Sequence, residues 1–320
     1  MLSRDLAAVL LVGAIGLTAC SDSLGPGNAS DEDREEILTL LDESGFFADD
    51  YGLDGANDGA AQASESMALV AGAEAAEIVL PRIWGRRRGF PVRRVITVDV
   101  DTETGLATVS KEISFEGRFL LDITDDEQVN PTEKPLEETL VQYALFRRMP
   151  VEQADEKGRR WRLIDISPAQ WMMTELEKRT VNITTVQVWV NDELQLEITD
   201  PSELLDVEGK IPHMVRGDNV LVRAWVENSV DNGNEPATFV FLHLFHASLS
   251  VTGWWRIPME LVSGDDGEYY EKAWVARRAG RERIAVDAID AQTFTTETED
   301  DYRASIWGVP YRVVAPEETP

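Results

Sequence analysis

The sequence predicts a mainly β protein in two parts, an α+β domain with one helix on an antiparallel sheet, followed by a β-sandwich. Three observations lead there. A single stretch with a helical apolar stripe begins near Asp31. From Val92 onward, apolar and polar residues alternate, which sends them to opposite faces of strands. From about Thr180 the pattern is all strand, with turn residues recurring at the spacing of a sandwich.

A leader precedes these elements. Leu6 to Leu17 is an uncharged, mostly apolar run. It is shorter than the ~20 residues a bilayer-spanning helix needs, and has the length of a signal-peptide core. It ends in Leu17-Thr18-Ala19-Cys20, which resembles the bacterial lipobox. The resemblance implies a signal peptide over residues 1–19, cleavage before Cys20, and a membrane anchor of lipid on its sulfur. Cys20 is the only cysteine in 320 residues. An odd cysteine in an exported chain needs a role, and lipidation gives it one. Ser21 stands where enterobacterial lipoproteins of the inner membrane carry aspartate, which favours the outer membrane. No disulfide is then available, so the fold must rest on core packing, for which about 300 residues suffice.

Lys and Arg number 30 against 59 Asp and Glu, a net charge of −29. Such a surface repels phosphate backbones, so nucleic acid is excluded as a partner. A hydrophobic content of 43% with nine tryptophans argues for a folded chain rather than an acidic tail.

Residues 20–30 are small and polar and read as a tether. The helix follows over Asp31 to Glu43, with acids in its first turn, Ile37, Leu38, Leu40 and Leu41 as its stripe, and Gly45 just beyond. Residues 46–80 are acidic and alanine-rich without a clear period. Ile96, Val98 and Val100 then alternate into the turn Asp101-Thr102-Glu103-Thr104-Gly105. The return strand puts Ala107, Val109, Ile113 and Phe115 on one face. Strands are expected at 120–123, 139–147 and 160–166. Ser167-Pro168-Ala169-Gln170 reads as an N-cap, a first-turn proline and a capping-box glutamine. A short helix to Lys178 is therefore expected to close a domain spanning residues 31–179.

The second domain is expected over residues 180–320, as a unit able to fold alone. Val186, Val188 and Val190 lead into the turn Asn191-Asp192, and Leu194, Leu196 and Ile198 return. Later strands are expected at 220–226, 239–245, 255–261, 269–276, 284–288 and 305–314. The run Gly217-Asp218-Asn219-Val220-Leu221-Val222-Arg223-Ala224-Trp225-Val226-Glu227-Asn228 resembles an early strand of bacterial immunoglobulin-like domains. Gly280-Arg281-Glu282-Arg283-Ile284-Ala285-Val286-Asp287 resembles a later one. The resemblance implies an immunoglobulin-like β-sandwich used for adhesion, spacing or display, and it carries no catalytic residues.

Asp50, Asp54 and Asp58 lie among glycines at part of the spacing of a calcium loop. Gly52 and Ala61 occupy two ligand positions, so a solvated acidic loop competes with a degenerate Ca2+ site. Arg86, Arg87 and Arg88 head a basic cluster. On so acidic a chain its expected partners are acids of the amino-terminal region or of another copy, with an anionic glycan or headgroup as the alternative. His243 and His246 are three apart in a strand, which sends them to opposite faces and argues against a zinc pair. No GxSxG elbow, P-loop or dinucleotide turn occurs.

Alternation leaves Trp189, Trp225 and Trp254 on polar faces, whereas Trp307, beside Val309 and Tyr311, reads as core. Cover by the first domain or another subunit competes with a stacking platform for sugars. The sequence therefore points to a non-catalytic lipoprotein that binds protein or polysaccharide in the cell envelope, with no cofactor. Its rivals are a carbohydrate binder using those tryptophans and a hydrolase with scattered carboxylates.

Overall fold

The computed structural model describes residues 30–47, 53, 83–123, 130–230, 236–247, 252–265, 267–296 and 302–316. The leader, Cys20 and the candidate calcium ligands Asp50, Asp54 and Asp58 lie outside these residues. The protein is mainly β, with antiparallel sheets and one helix near the amino terminus.

Helix α1 spans Asp31–Glu43. The Ser30 hydroxyl accepts from the Asp33 amide at 3.1 Å, a cap that contributes about 1 kcal/mol. Ile37 and Leu41 are buried, and the Trp161 indole donates to Asp33 at 2.9 Å. The helix thereby docks on the sheet by both its apolar stripe and its capped end.

Three long strands follow: β1 (Ile83–Asp101), β2 (Leu106–Asp122) and β3 (Thr132–Arg148). The turn between β1 and β2 has its tightest point at Gly105, where φ is +68° and a side chain would be strained. Next come β4 (Trp161–Ile166) and β5 (Ala169–Met173). β5 corrects the helix expected from Ser167. Ala169, Trp171 and Met173 are buried in period two, and β5 pairs with β3, so sheet burial overrides the local capping pattern. Only a 3-10 turn at Leu176–Lys178 is helical there.

The remaining strands are β6 (Val181–Val190), β7 (Glu193–Ile198), β8 (Leu205–Asp206), β9 (His213–Val215), β10 (Asn219–Asn228) and β11 (Thr238–Ala247). They continue with β12 (Thr252–Pro258), β13 (Glu260–Gly264), β14 (Gly267–Val275), β15 (Gly280–Asp290), the short helix α2 (Gln292–Thr295) and β16 (Ala304–Val314). Asn191 and Asp192 both take positive φ, 49° and 68°, the turn that matches strand twist in a two-residue hairpin.

Two sheets result. The smaller has the order β13-β14-β10-β6-β7. The larger, eleven-stranded, follows β1-β2-β3-β5-β16-β15-β11-β12, with β4, β8 and β9 attached. Val186, Val188, Val220 and Val222 from the small sheet join Leu242, Val286, Trp307 and Val309 from the large one in a single core. Ile37, Val109 and Phe146 belong to that same core.

The expected domain boundary at residue 180 is therefore corrected. β5 pairs with β16, with Trp171 opposite Ile306, so one sheet runs through both halves. The large sheet also bends back on itself. Trp84 of its first strand lies 4.8 Å, between ring centres, from Phe241 of β11, six places along the strand order. Phe119, Phe294 and Tyr302 complete an aromatic interior behind the sandwich core.

Candidate functional site

The tryptophans expected to act together are separated by this fold. Trp189 and Trp225 share the outer face of the small sheet, while Trp254 sits on β12 with Arg283 5.4 Å from its ring centre. On the small sheet, the Arg223 guanidinium lies 5.3 Å from the Trp189 ring centre and 5.0 Å from that of Tyr269. Arg223 also pairs with Glu271 at 3.1 Å, and Trp225 packs on Tyr269 at 5.2 Å. All five side chains are half-buried. The guanidinium takes up ring surface that a stacked sugar would need, so the array is a self-contained cation–π ladder.

The basic cluster is divided too. Arg87 pairs with Glu133 at 3.7 Å on the surface. Arg86 turns inward and is fully buried, and Arg88 lies 4.0 Å from Glu138. Their acidic partners lie on β3, within the amino-terminal region, and on β15, where Arg86 reaches Asp287 across the closed sheet. Arg86 donates to both oxygens of Asp287, at 2.5 and 2.8 Å, and to the Tyr302 hydroxyl at 2.6 Å. Tyr302 in turn bonds Glu138, and His243 Nε2 meets Asp287 at 3.0 Å. Burial alone would raise the Asp287 carboxyl, but the Arg86 charge and the His243 and Arg86 hydrogen bonds hold it well below the ordinary range. Burial keeps His243 neutral by lowering its pKa, against the pull of Asp287. Arg256, its guanidinium stacked 3.6 Å from the Trp84 ring centre, is lowered to about 10 by burial and by Arg86. This network is sealed, with both Arg86 and Asp287 side chains at 0% exposure. It clamps the halves together and offers no face to a ligand.

An open site lies elsewhere, at one end of the sandwich core. A cleft of about 250 Å³ opens between β11, β12, β15 and β16 on one side and the end of β14 on the other. Leu244, Ile257, Trp255, Trp274 and Val313 line it, with Tyr311 as its floor. Trp255 is 44% exposed although it stands on the apolar face of β12, opposite Leu244. Trp274 meets Tyr311 edge to face, ring centres 6.5 Å apart. Among the described residues, no side chain fills the space between these walls.

Polar groups gather along one edge of the cleft, in Arg277, Arg278 and Glu282. The Arg278 and Glu282 side chains pair at 3.4 Å. Burial raises the Glu282 carboxyl against the pull of Arg278 and Arg283. Burial, joined by the Glu282 charge, raises the Tyr311 phenol, so it remains a neutral donor. The arrangement suits binding of an apolar body with a polar end.

Sequence reasoning passed over this cleft. Trp255 reads as core by alternation with Ile257, and that parity is right; what fails is the assumption that the face is covered. The available signal was the strand end Trp274-Val275-Ala276-Arg277-Arg278, where apolar alternation runs straight into two arginines. Comparison with protein families, curated proteins and solved structures returned no match for this chain.

Proposed function

We propose that this chain is an exported, lipid-anchored binding protein of the bacterial cell envelope, non-catalytic, with the Trp255–Trp274 cleft as its ligand site. The cleft carries the reading: Trp255, 44% exposed, stands opposite buried Leu244 and beside half-buried Ile257, and together they form a concave apolar surface that suits a ligand. The lipobox-like Leu17-Thr18-Ala19-Cys20 supports export and anchoring. The sealed pairing of Asp287 with Arg86 and His243 supports a structural rather than catalytic use of the deepest carboxylates.

An immunoglobulin-like reading of the carboxy-terminal half draws support from strand order. Such sandwiches set strands C, F and G against A, B, E and D. Here β11, β15 and β16 are neighbours in one sheet, and β13, β14, β10 and β6 in the other. Taken in chain order from β10, these strands fill positions B to G, with β12 as the extra strand beside C.

A thermal-shift panel of small amphiphiles and soluble glycans tests the binding role. At least one compound should raise the melting temperature of the wild type and leave Trp255→Ala unmoved. No shift with any compound, or shifts that survive Trp255→Ala, would sink the reading.

A further inference from the structure

We infer that the cleft takes a small amphipathic anion, a ligand with a hydrocarbon body and one carboxylate-like end. This rests on the binding role proposed above and names the chemistry of that site.

The body follows from the walls. Leu244, Ile257 and Val313 give only apolar contact, and Trp255 and Trp274 add broad apolar ring faces with one N–H donor each. A sugar presents donors and acceptors around its whole perimeter, and these walls would leave most of them unpaired, at a cost in binding. A hydrocarbon loses nothing there.

The charge follows from the rim. Among the described residues at the rim, Arg277 and Arg278 stand against the carboxylate of Glu282, and Glu282 is already engaged by Arg278 at 3.4 Å. Arg277 is exposed at the mouth, so the rim keeps a positive surplus. The chain as a whole carries −29, and solubility does not call for cations beside an exposed tryptophan. Charge elsewhere is screened beyond about 8 Å at physiological salt, so the nearby guanidiniums decide which ligand end is accepted. The cleft, about 250 Å³, is larger than the ~150 Å³ cavity that holds a benzene ring, so it admits a short chain or a single ring system.

The test uses the mature chain from Ser21 and three probes that share one eight-carbon tail: octanoate, 1-octanol and octyltrimethylammonium. Binding is followed by tryptophan fluorescence and calorimetry. Octanoate should bind at least about five-fold tighter than octanol, with the ammonium weakest. The double change Arg277→Gln and Arg278→Gln should bring octanoate down to the octanol level. Trp255→Ala should remove both, and its unchanged melting temperature would show that it folds. Equal binding of octanoate and octanol, lost together in Trp255→Ala, would keep the cleft as the ligand site and overturn the anion preference. Tightest binding of the ammonium would overturn it as well, assigning selectivity to Glu282. Absence of binding by all three probes would overturn this inference. Octanoate binding that survives Trp255→Ala would do the same. The envelope-binding role itself would then stand or fall on the wider panel of amphiphiles and glycans.

Discussion

The guanidinium of Arg86 and the carboxylate of Asp287, 201 positions apart in the chain, form a buried two-point pair. It joins the first strand of the large sheet to β15 across the residue-180 boundary that the strand pattern suggests. Arg86→Met should destabilise the protein by about 3–5 kcal/mol, because Asp287 would stay buried with its charge uncompensated. Adding Asp287→Leu should recover part of that loss. Urea unfolding of the three proteins decides it, and a single variant as stable as the wild type would remove the clamp from the account. Residues 180–320 alone retain Asp287 without Arg86 or β5, so the fragment should be poorly folded, against the expectation from sequence.

His243 gives the clamp a pH dependence. Its folded pKa lies below the ~6.5 of a free imidazole, so on acidification the unfolded chain takes up a proton that the folded one refuses. Stability should therefore be fully present above that unfolded value and fall as pH drops below it toward the lowered folded value. The slope should approach ~1.4 kcal/mol per pH unit for this one group. His243→Gln should flatten that part of the profile between pH 6.5 and 5.5. Parallel slopes for the two proteins, measured by denaturant unfolding at each pH, would show that His243 is not responsible.

The ladder on the small sheet should be locally stabilising and functionally silent. Arg223→Ala removes the cation between Trp189 and Tyr269 and the partly exposed pair with Glu271, a loss of about 1 kcal/mol. Trp225→Ala should cost a similar amount through Tyr269. Neither should alter ligand binding in the cleft. A glycan that binds the wild type and not Trp225→Ala would reinstate the sugar platform.

Anchoring is tested at Cys20. Cys20→Ala should leave uncleaved precursor and abolish the acyl mass that spectrometry should find on the mature amino terminus. A soluble mature protein with an unmodified thiol at its first residue would remove the lipid anchor from the proposal.

Strand positions were legible because each carries its own evidence of alternation. Val186, Val188 and Val190 are buried as their spacing requires, and Asn191-Asp192 turns the chain as its residue types require. Trp307 is core, as its neighbours imply. β5 was misread because a short strand with proline before it and glutamine within it matches a helix start equally well; only its neighbours β3 and β16 decide. Lys111 shows the same limit. It lies between Val109 and Ile113 on the apolar face and is wholly buried. It is tolerated because its ammonium donates to the Phe47 carbonyl at 2.7 Å, a partner 64 residues away. The burial of Arg86 and the opening beside Trp255 are likewise properties of how sheets close and part. A local pattern determines which face a side chain takes, but what meets that face is set by distant strands.

β16, the last of the described strands, bonds to β5 through Ser305–Gly308 and to β15 along its length, while its far end runs parallel to β9. Until residues 304–314 have emerged, β1-β2-β3-β5 and β15-β11-β12 are two separate pieces with raw edges facing each other. A chain that ends before Ser305 cannot join them, so closure of the large sheet waits for β16. Pairings between strands so far apart in sequence form slowly, so the large sheet stays open until β16 has been made.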